Sequence, residues 1–526
     1  MKFSREFLEK IEKMDPVDRP MIHKGHRLKT RRDFLSQGFI SSLGFTLAPS
    51  LLSMLKTDIV MAAEGCEAAP VSSNAPVLII DLAGGNMQAG NHMIVGTDSQ
   101  DNLLSSYAGL GLPPAIDPAQ NPNMINRDFN VAMHANSAYL EGMLEATQST
   151  VDNRDPNMRN RIDGGFFAAQ SENDRSTNPL NPVYWMAKAG ANGTLTTASG
   201  TRGSQSGGRS VPPAASFDPT LSPVQISRVD DLTGLINLGV VQNEFGSRGI
   251  AKVQKILKRM EGMSQAKINS FTNKSLSEQL KTVAACGFDT TRYTSQTANP
   301  AAIDPTQDAV IQRIYQGNQD NRNNTSYDPG ASSAEACIVK ALCDGLVGVG
   351  TLELGGYDYH GNQRIDQDNK DYKVGKTIGR ALSVAAEKNK DLMIIIITDG
   401  GVATSTTMQA GRNGVMKYRY SGDNSSRSGA MMFVHKAGVS NSSEFIRDTS
   451  GRQIGEFVAT TGQVDRTTGS LIQSTAQTVN GNLAAVLAAN YMALHGEEGK
   501  FLSIVGDTYQ AIQNDLDRYL LLKKAA

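Results

Sequence analysis

The chain has 526 residues and a mass of 56.4 kDa, enough to bury one large core or two modest ones, since a domain usually takes about 100–200 residues. Its 51 basic and 52 acidic residues leave a formal net charge of -1, so there is no basic field to hold nucleic acid or anionic lipid non-specifically, and no nucleic-acid partner is expected. With 39% hydrophobic residues and 50 glycines, the composition fits a loop-rich globular protein rather than a disordered one.

The first informative stretch is KTRRDFLSQGFISSLGFTLAPSLLSML. Arg31 and Arg32 precede Asp33, Phe34 and Leu35, and an apolar run follows from Gly38 to Leu55, broken by Gly44 and Pro49. Paired arginines ahead of Phe-Leu and a moderately hydrophobic segment resemble a twin-arginine export signal. An apolar run of ~18 residues also sits at the lower limit for a membrane-anchoring helix. The export reading is favoured, because Ala62 and Ala63 in VMAAEG offer small residues to a signal peptidase, while Glu64 ahead of Gly65 and Cys66 spoils a lipoprotein site. The expectation is a signal region at 1–63, bound transiently by the twin-arginine machinery, and a mature chain in the periplasm or outside the cell. No other apolar run is long enough to span a membrane.

In NAPVLIIDLAGG, an apolar run from Val77 to Ile80 ends at Asp81 with Gly84 and Gly85 beyond it, which reads as a buried strand and a glycine turn. From Asn86 to about Gly330 the chain is polar, with short helical patterns such as AYLEGMLEAT, and its segment GANGTLTTASGTRGSQSGGRS reads as a surface loop. Helical periodicity returns in RGIAKVQKILKRMEGM and SLSEQLKTVAAC. From Cys337 onward the pattern tightens into EACIVKALCDGL as helix, VGVGTLELGG as strand, VGKTIGRALSVAAEK as helix, DLMIIIITDGG and GAMMFVHKAG as strands, and NLAAVLAANYMALHG as helix. Such alternation predicts a three-layer α/β fold with a mostly parallel sheet covered on both faces, which is why MIIII carries no polar alternation. A single α/β domain is expected over 70–526, with a loop-rich and partly helical insertion at about 95–330.

The cysteines Cys66, Cys286, Cys337 and Cys343 fit no paired zinc spacing. Cys337 and Cys343 lie six apart in a predicted helix; a rotation of about 600° turns them to different faces, so they do not pair with each other. An oxidising compartment permits a disulfide from Cys286 to one of them, and buried free thiols are an equal expectation.

Ligands of open parallel sheets sit just beyond the carboxyl ends of the strands, and polar groups fall there three times. The first strand ends at Asp81, the second runs into GGYDYH with Asp358 and His360, and the third ends at Thr398 and Asp399. Asp358 and His360, two apart, share a side in extended geometry. Carboxylates with an imidazole suit one divalent cation: zinc if the histidine binds, and magnesium, calcium or manganese if it does not. Any one Asp-Gly after a strand is ordinary turn chemistry, in which case no cation is held; three coinciding strand ends shift the balance towards a site. Thr404 and Ser405 read as part of a solvated loop, and His92, His134 and His435 as packing or surface residues, with His134 the one to check.

LAGGN, FFAAQ, GGYDYHGNQ and GDNSSRSGAMMFV, in that order behind a twin-arginine signal, resemble the large bacterial family of uncharacterised exported proteins related to sulfatases and alkaline phosphatases. The resemblance covers most of the mature chain and is closest from Gly355 to Gln363. It implies an alkaline-phosphatase-like mixed sheet flanked by helices, with metal ligands at strand ends. Against a family motif Leu-Arg-Gly-Gly-Asn-Asp-Gly, Ala83 stands at the arginine, Met87 at the aspartate and Gln88 at the glycine. A Ser-His-Phe-x-Ala-Gln segment becomes Gly165, Phe166, Phe167, Ala168, Ala169 and Gln170. A Ser-Glu-Phe-Gly-Arg segment corresponds to Thr398, Asp399, Gly400, Gly401 and Val402, and a late Thr-Asp-His-Gly to Asp423, Asn424, Ser425 and Ser426. In the broader phosphatase pattern a histidine follows Asp399, where this chain has Gly400. The resemblance thus leaves Asp358, His360 and Asp399 as ligands, with Asp81 not required by the first motif. The missing arginines and histidines are charge stabilisers worth up to several kcal/mol of barrier each. The expectation is an eroded site with a non-catalytic or binding role in the cell envelope, against the alternative of a metal-dependent hydrolase of phosphate or sulfate esters.

Overall fold

The computed structural model describes mainly residues 74–170, 182–201, 223–235, 300–316, 329–357, 363–398, 400–447, 451–465 and 482–525, with Tyr359 and a few others. Arg31, Arg32, Phe34, Leu35, Cys66, Cys286 and the SLSEQLKTVAAC pattern lie outside the described residues, as does most of RGIAKVQKILKRMEGM. The chain divides into two compact units, 1–69 with 238–298, and 70–237 with 299–526. In the first, the described strands are Pro20–Met21 and Lys29–Thr30, paired antiparallel.

The second unit is built on one eight-stranded sheet. In chain order its main elements are β1 (Val77–Leu82), α1 (Ala138–Asn153), β2 (Ile162–Ala169), α2 (Val183–Lys188), β3 (Thr196–Gly200), β4 (Val224–Gln225), α3 (Ala334–Cys343), β5 (Val347–Leu354), α4 (Arg364–Glu387), β6 (Leu392–Thr398), β7 (Val402–Ala410), β8 (Met416–Asp423), β9 (Ser428–His435), β10 (Gln453–Ile454) and α5 (Asn482–His495). Across the sheet the order is β10-β2-β9-β6-β1-β5-β3-β4. All neighbours run parallel except the two pairs made by β9. β7 and β8 leave the sheet as a separate antiparallel ribbon.

The apolar runs explain the layering. Leu78, Ile80 and Leu82 of β1 pack with residues of α1, α3 and α4 on one face, and Val77 and Ile79 pack with α2 and α5 on the other. A strand covered twice gains about 1.5–3 kcal/mol for each large side chain buried, on both faces at once, so it carries no polar alternation. The α/β expectation holds at this level, with a mixed and mostly parallel sheet between helices. Among the described residues no helix is long and apolar enough to cross a membrane.

Three local readings are corrected. Thr196–Gly200, read as part of a surface loop, is the buried strand β3 between β5 and β4. Just ahead of β3 the chain passes close to β5: a Cβ on Gly348 would fall 1.9 Å from the Ala191 carbonyl oxygen. Helix α4 begins at Arg364, ten residues before VGKTIGRALSVAAEK, because one side of its polar first turns, Arg364, Gln367, Asp368 and Asp371, is buried among polar partners while Ile365 and Asp366 face solvent. GGVATSTT is not a solvated loop but the start of β7, where the Thr404 hydroxyl donates to the Gly109 carbonyl at 3.2 Å and that of Ser405 to Arg419 at 3.3 Å. The range 95–330 also supplies β2, β3 and β4 to the sheet.

Helices α1 and α4 cross at unusually close range, and glycine is the reason. A Cβ on Gly142 would lie 2.4 Å from the Tyr372 carbonyl oxygen, and one on Gly375 2.2 Å from that of Tyr139. Backbone therefore meets backbone, which brings the first turns of both helices beneath the carboxyl ends of the central strands.

Cys337 and Cys343 on α3 are both buried free thiols, and burial pushes each up to about 12. Neither should react with N-ethylmaleimide in the folded protein, and both should once denaturant is added, as read by peptide mass spectrometry. Rapid labelling of either in native buffer would contradict the packing of α3.

Candidate functional site

The three strand ends singled out from the sequence are neighbours. β1 lies between β6 and β5, with Asp81 level with Ile397 and Glu353, and Leu82 level with Thr398 and Leu354. Beyond them the loops are joined through their backbones. Ala83 N–H donates to the Leu354 carbonyl at 3.2 Å, Tyr357 N–H to that of Ala83 at 3.0 Å, and Asn86 N–H to that of Gly400 at 3.0 Å. Gly84 and Gly85 make the turn at φ of 115° and 107°, a region L-residues avoid.

Asp81 is fully buried at the penultimate position of β1, on the face shared with Val77 and Ile79. Asp358, His360 and Asp399 lie outside the described residues. Among the described residues no group of three or more His, Cys, Asp or Glu side chains is placed to hold a metal ion.

What the described residues do contain at this level is a buried polar hub centred on Asp371 of α4. Its Oδ1 accepts from the Tyr359 hydroxyl at 2.6 Å and from Asn86 Nδ2 at 2.8 Å, while Oδ2 accepts from His92 Nε2 at 3.0 Å. Asn86 Oδ1 in turn accepts from the Tyr139 hydroxyl at 3.1 Å. Burial, with Asp371 adding to it, holds the Tyr139 and Tyr359 hydroxyls well above their ordinary range, so both remain donors. His92 stacks on Tyr139 with 3.8 Å between ring centroids. Burial lowers its pKa against the pull of Asp371, and Asn91 Nδ2 lies 3.0 Å from the same Nε2.

Ser137 Oγ lies 2.9 Å from His92 Nδ1, which gives Ser137, His92 and Asp371 the connectivity of a hydrolytic triad. Access is missing: all three residues are at most 1% exposed. Ser137 is also the N-cap of α1, accepting from Leu140 N–H at 3.2 Å. The chain of bonds orients a helix start and a carboxylate, and it offers no nucleophile to a substrate.

One helical turn earlier, Asp368 Oδ1 accepts from Arg364 Nε at 3.2 Å and Oδ2 from Lys417 Nζ of the ribbon at 2.9 Å. Arg364 also donates to Asn91 and lies 4.0 Å over the ring of Tyr420, which stacks on Tyr359. Arg364, Asp368 and Asp371 follow one another at helical spacing. That spacing was the signal in the sequence that could have marked a buried polar stripe.

The two other histidines singled out from the sequence, His134 and His435, are buried. His134 Nε2 donates to the Ile116 carbonyl at 2.8 Å and Nδ1 accepts from Asn136 N–H at 3.1 Å, so neither nitrogen is open to a metal; burial drives it to about 3. His435 is buried level with Leu392 and Ile162, at the end of the strands opposite to Asp81 and Thr398.

No protein-family model and no curated protein matches this chain. Sheet and site together define an α/β protein with a mostly parallel mixed sheet, whose three central strands end side by side over a closed polar hub.

Proposed function

We propose that this chain is an exported protein with an alkaline-phosphatase-like fold that keeps the strand-end framework for binding in the cell envelope and has lost ester hydrolysis. The observation that carries this reading is the fate of the positions where the family it resembles has polar side chains. Met87, at the place of an aspartate, and Phe166, at that of a histidine, are both fully buried in the main hydrophobic core. Phe166 packs on Phe457 with 5.9 Å between ring centroids. Gly165, at the place of a serine, has no room for one, since a Cβ there would lie 2.5 Å from the Arg452 carbonyl oxygen. Polar groups cannot return to these positions without opening the core.

What remains for a ligand is the row of carboxylates after the strands. Asp81 is the penultimate residue of β1, Asp358 and His360 follow β5 by a few residues, and Asp399 comes directly after β6 in the sequence. These four residues would hold one divalent cation, zinc, calcium or magnesium, whose charge would anchor an anionic group.

The test is metal analysis by plasma mass spectrometry on protein purified without chelators, wild type beside Asp358→Ala, with a panel of phosphate and sulfate esters. The expected result is about one divalent ion per chain, lost in the variant, and no ester turnover. Metal-dependent turnover abolished by Asp358→Ala would establish the hydrolase instead. No metal in either protein would leave the carboxylates as turn and cap residues.

A further inference from the structure

We propose that Arg427 and Gln170, neighbours where β2 ends and β9 begins, form a binding site for a small oxyanion: the phosphate, sulfate or carboxylate group of a ligand. The site uses no cation, so it goes beyond the binding role proposed above and stands whether or not the strand-end carboxylates hold a metal.

Two of the motifs quoted from the sequence, FFAAQ and GDNSSRSGAMMFV, meet here. Ala169 and Ser428 are the last antiparallel pair of β2 and β9, so Gln170 and Arg427 are the next residue on either side of that ladder. Phe166 and Ala168 belong to the main hydrophobic core, and the alternation of a strand turns Gln170 to the same face. Arg427 reaches that face too. Its Nη2 donates to the Thr461 carbonyl at 3.3 Å, in the turn between Phe457 and Val464, both members of the same core. A Cβ on Gly109 would stand 3.1 Å from that nitrogen, so the guanidinium is seated closely against backbone.

Both side chains are short of acceptors. Arg161, Arg364, Arg380, Arg412 and Arg452 each pair with a carboxylate. Arg427 is half-buried and pairs with none among the described residues, and its Nε is buried without a hydrogen-bond partner. Burial lowers its pKa, and no carboxylate acts to raise it. Gln170 is 6% exposed, and its Nε2 is likewise buried without a partner. A water molecule would accept from either N–H group but would leave the charge uncompensated. An oxyanion answers both needs, because it carries only acceptors and a negative charge, and the planar fork of an arginine matches its oxygens.

The test measures binding of inorganic phosphate, sulfate and acetate by calorimetry at an ionic strength held constant with sodium chloride. All proteins are first passed over a chelating resin, so no divalent cation contributes, and failure here is distinct from failure of the metal analysis above. Wild type should bind at least one of the three anions saturably, and the preferred one identifies the group. Arg427→Met and Gln170→Leu should each weaken that binding about 10-fold or more. Gln170→Leu should leave the midpoint of thermal unfolding in place, since the buried Nε2 has no bond to lose. Arg380→Met, which strips Glu335 of its partner at 2.8 Å, is the control: it should lower the midpoint and keep the anion affinity.

No saturable binding of any of the three anions to the wild type overturns the proposal. So does unchanged affinity in Arg427→Met or Gln170→Leu, or an equal loss in Arg380→Met. Should Arg427→Met fail to fold, Arg427→Lys keeps the charge without the fork; weaker binding is then expected, and unchanged affinity overturns the assignment.

Discussion

Lys417→Met should destabilise the protein by about 3–5 kcal/mol at pH 7, the usual consequence of removing one partner from a buried charge pair. The Lys417 ammonium is 1% exposed and lies 2.9 Å from a carboxylate oxygen of Asp368, which is itself fully buried. Methionine fills much of the same volume, so the loss is one of charge and hydrogen bonding rather than of packing. Asp368 would keep Arg364 and the Arg412 N–H at 3.1 Å, too little to replace the lost counter-ion.

The same pair sets a pH dependence. Burial alone would raise the Asp368 carboxyl, but Lys417 and Arg364 overcome it and bring it down to about 2. A carboxyl depressed in the folded state stabilises fully above its unfolded value of about 3.9, and that contribution is lost as pH falls through the folded value. Urea unfolding at pH 7 and at pH 3 should therefore show the wild type losing part of this contribution at the lower pH. Lys417→Met should lose less over the same interval, because the part of that contribution due to Lys417 is already gone and, of the two cations, only Arg364 still depresses the carboxyl. A variant as stable as the wild type at pH 7 would mean that the α4–ribbon contact is not built on this ion pair.

Gly375→Ala should cost about 3 kcal/mol or more, against a gain of roughly 0.5–1 kcal/mol expected from helix propensity alone. The sign of the change is therefore diagnostic. An added methyl would sit 2.2 Å from the Tyr139 carbonyl oxygen, a backbone atom that cannot rotate away, so α1 and α4 would have to part. Parting them draws Tyr139 away from Asn86 and His92 and loosens Asp371 from both. Near-ultraviolet circular dichroism should change along with the midpoint of thermal unfolding. Gly234→Ala, at an exposed helix end with nothing within 4 Å of the new Cβ, should be close to neutral. A stabilised Gly375→Ala would show that the helices do not meet at this point.

By itself the sequence determined the parts of the fold whose signal is local. VLIIDL and LMIIIIT read as doubly covered strands because burial on two faces removes polar alternation within a few residues. The helical pattern NLAAVLAANYMALH read as a helix and forms α5, apolar on all sides and buried almost throughout. The polar groups after three strands were legible too, and the sheet order then set β6, β1 and β5 side by side with their ends level. Of the residues read there as ligands, Asp81 takes a buried position at its strand end, and Asp358, His360 and Asp399 fall outside the described residues.

Tertiary structure decided the rest, because burial reverses the meaning of polar and small residues. TTASG looks like a loop until β5 pairs with it in parallel and the sheet buries all five residues. RIDQDNKDYK looks solvated until Lys417 and Asn91, far away in the chain, arrive to pair with it. Asp371 is one aspartate among many in the sequence, since Asn86 lies 285 and His92 279 residues from it. A carboxylate becomes a hub when folding brings those donors to it and removes the water that would otherwise have served.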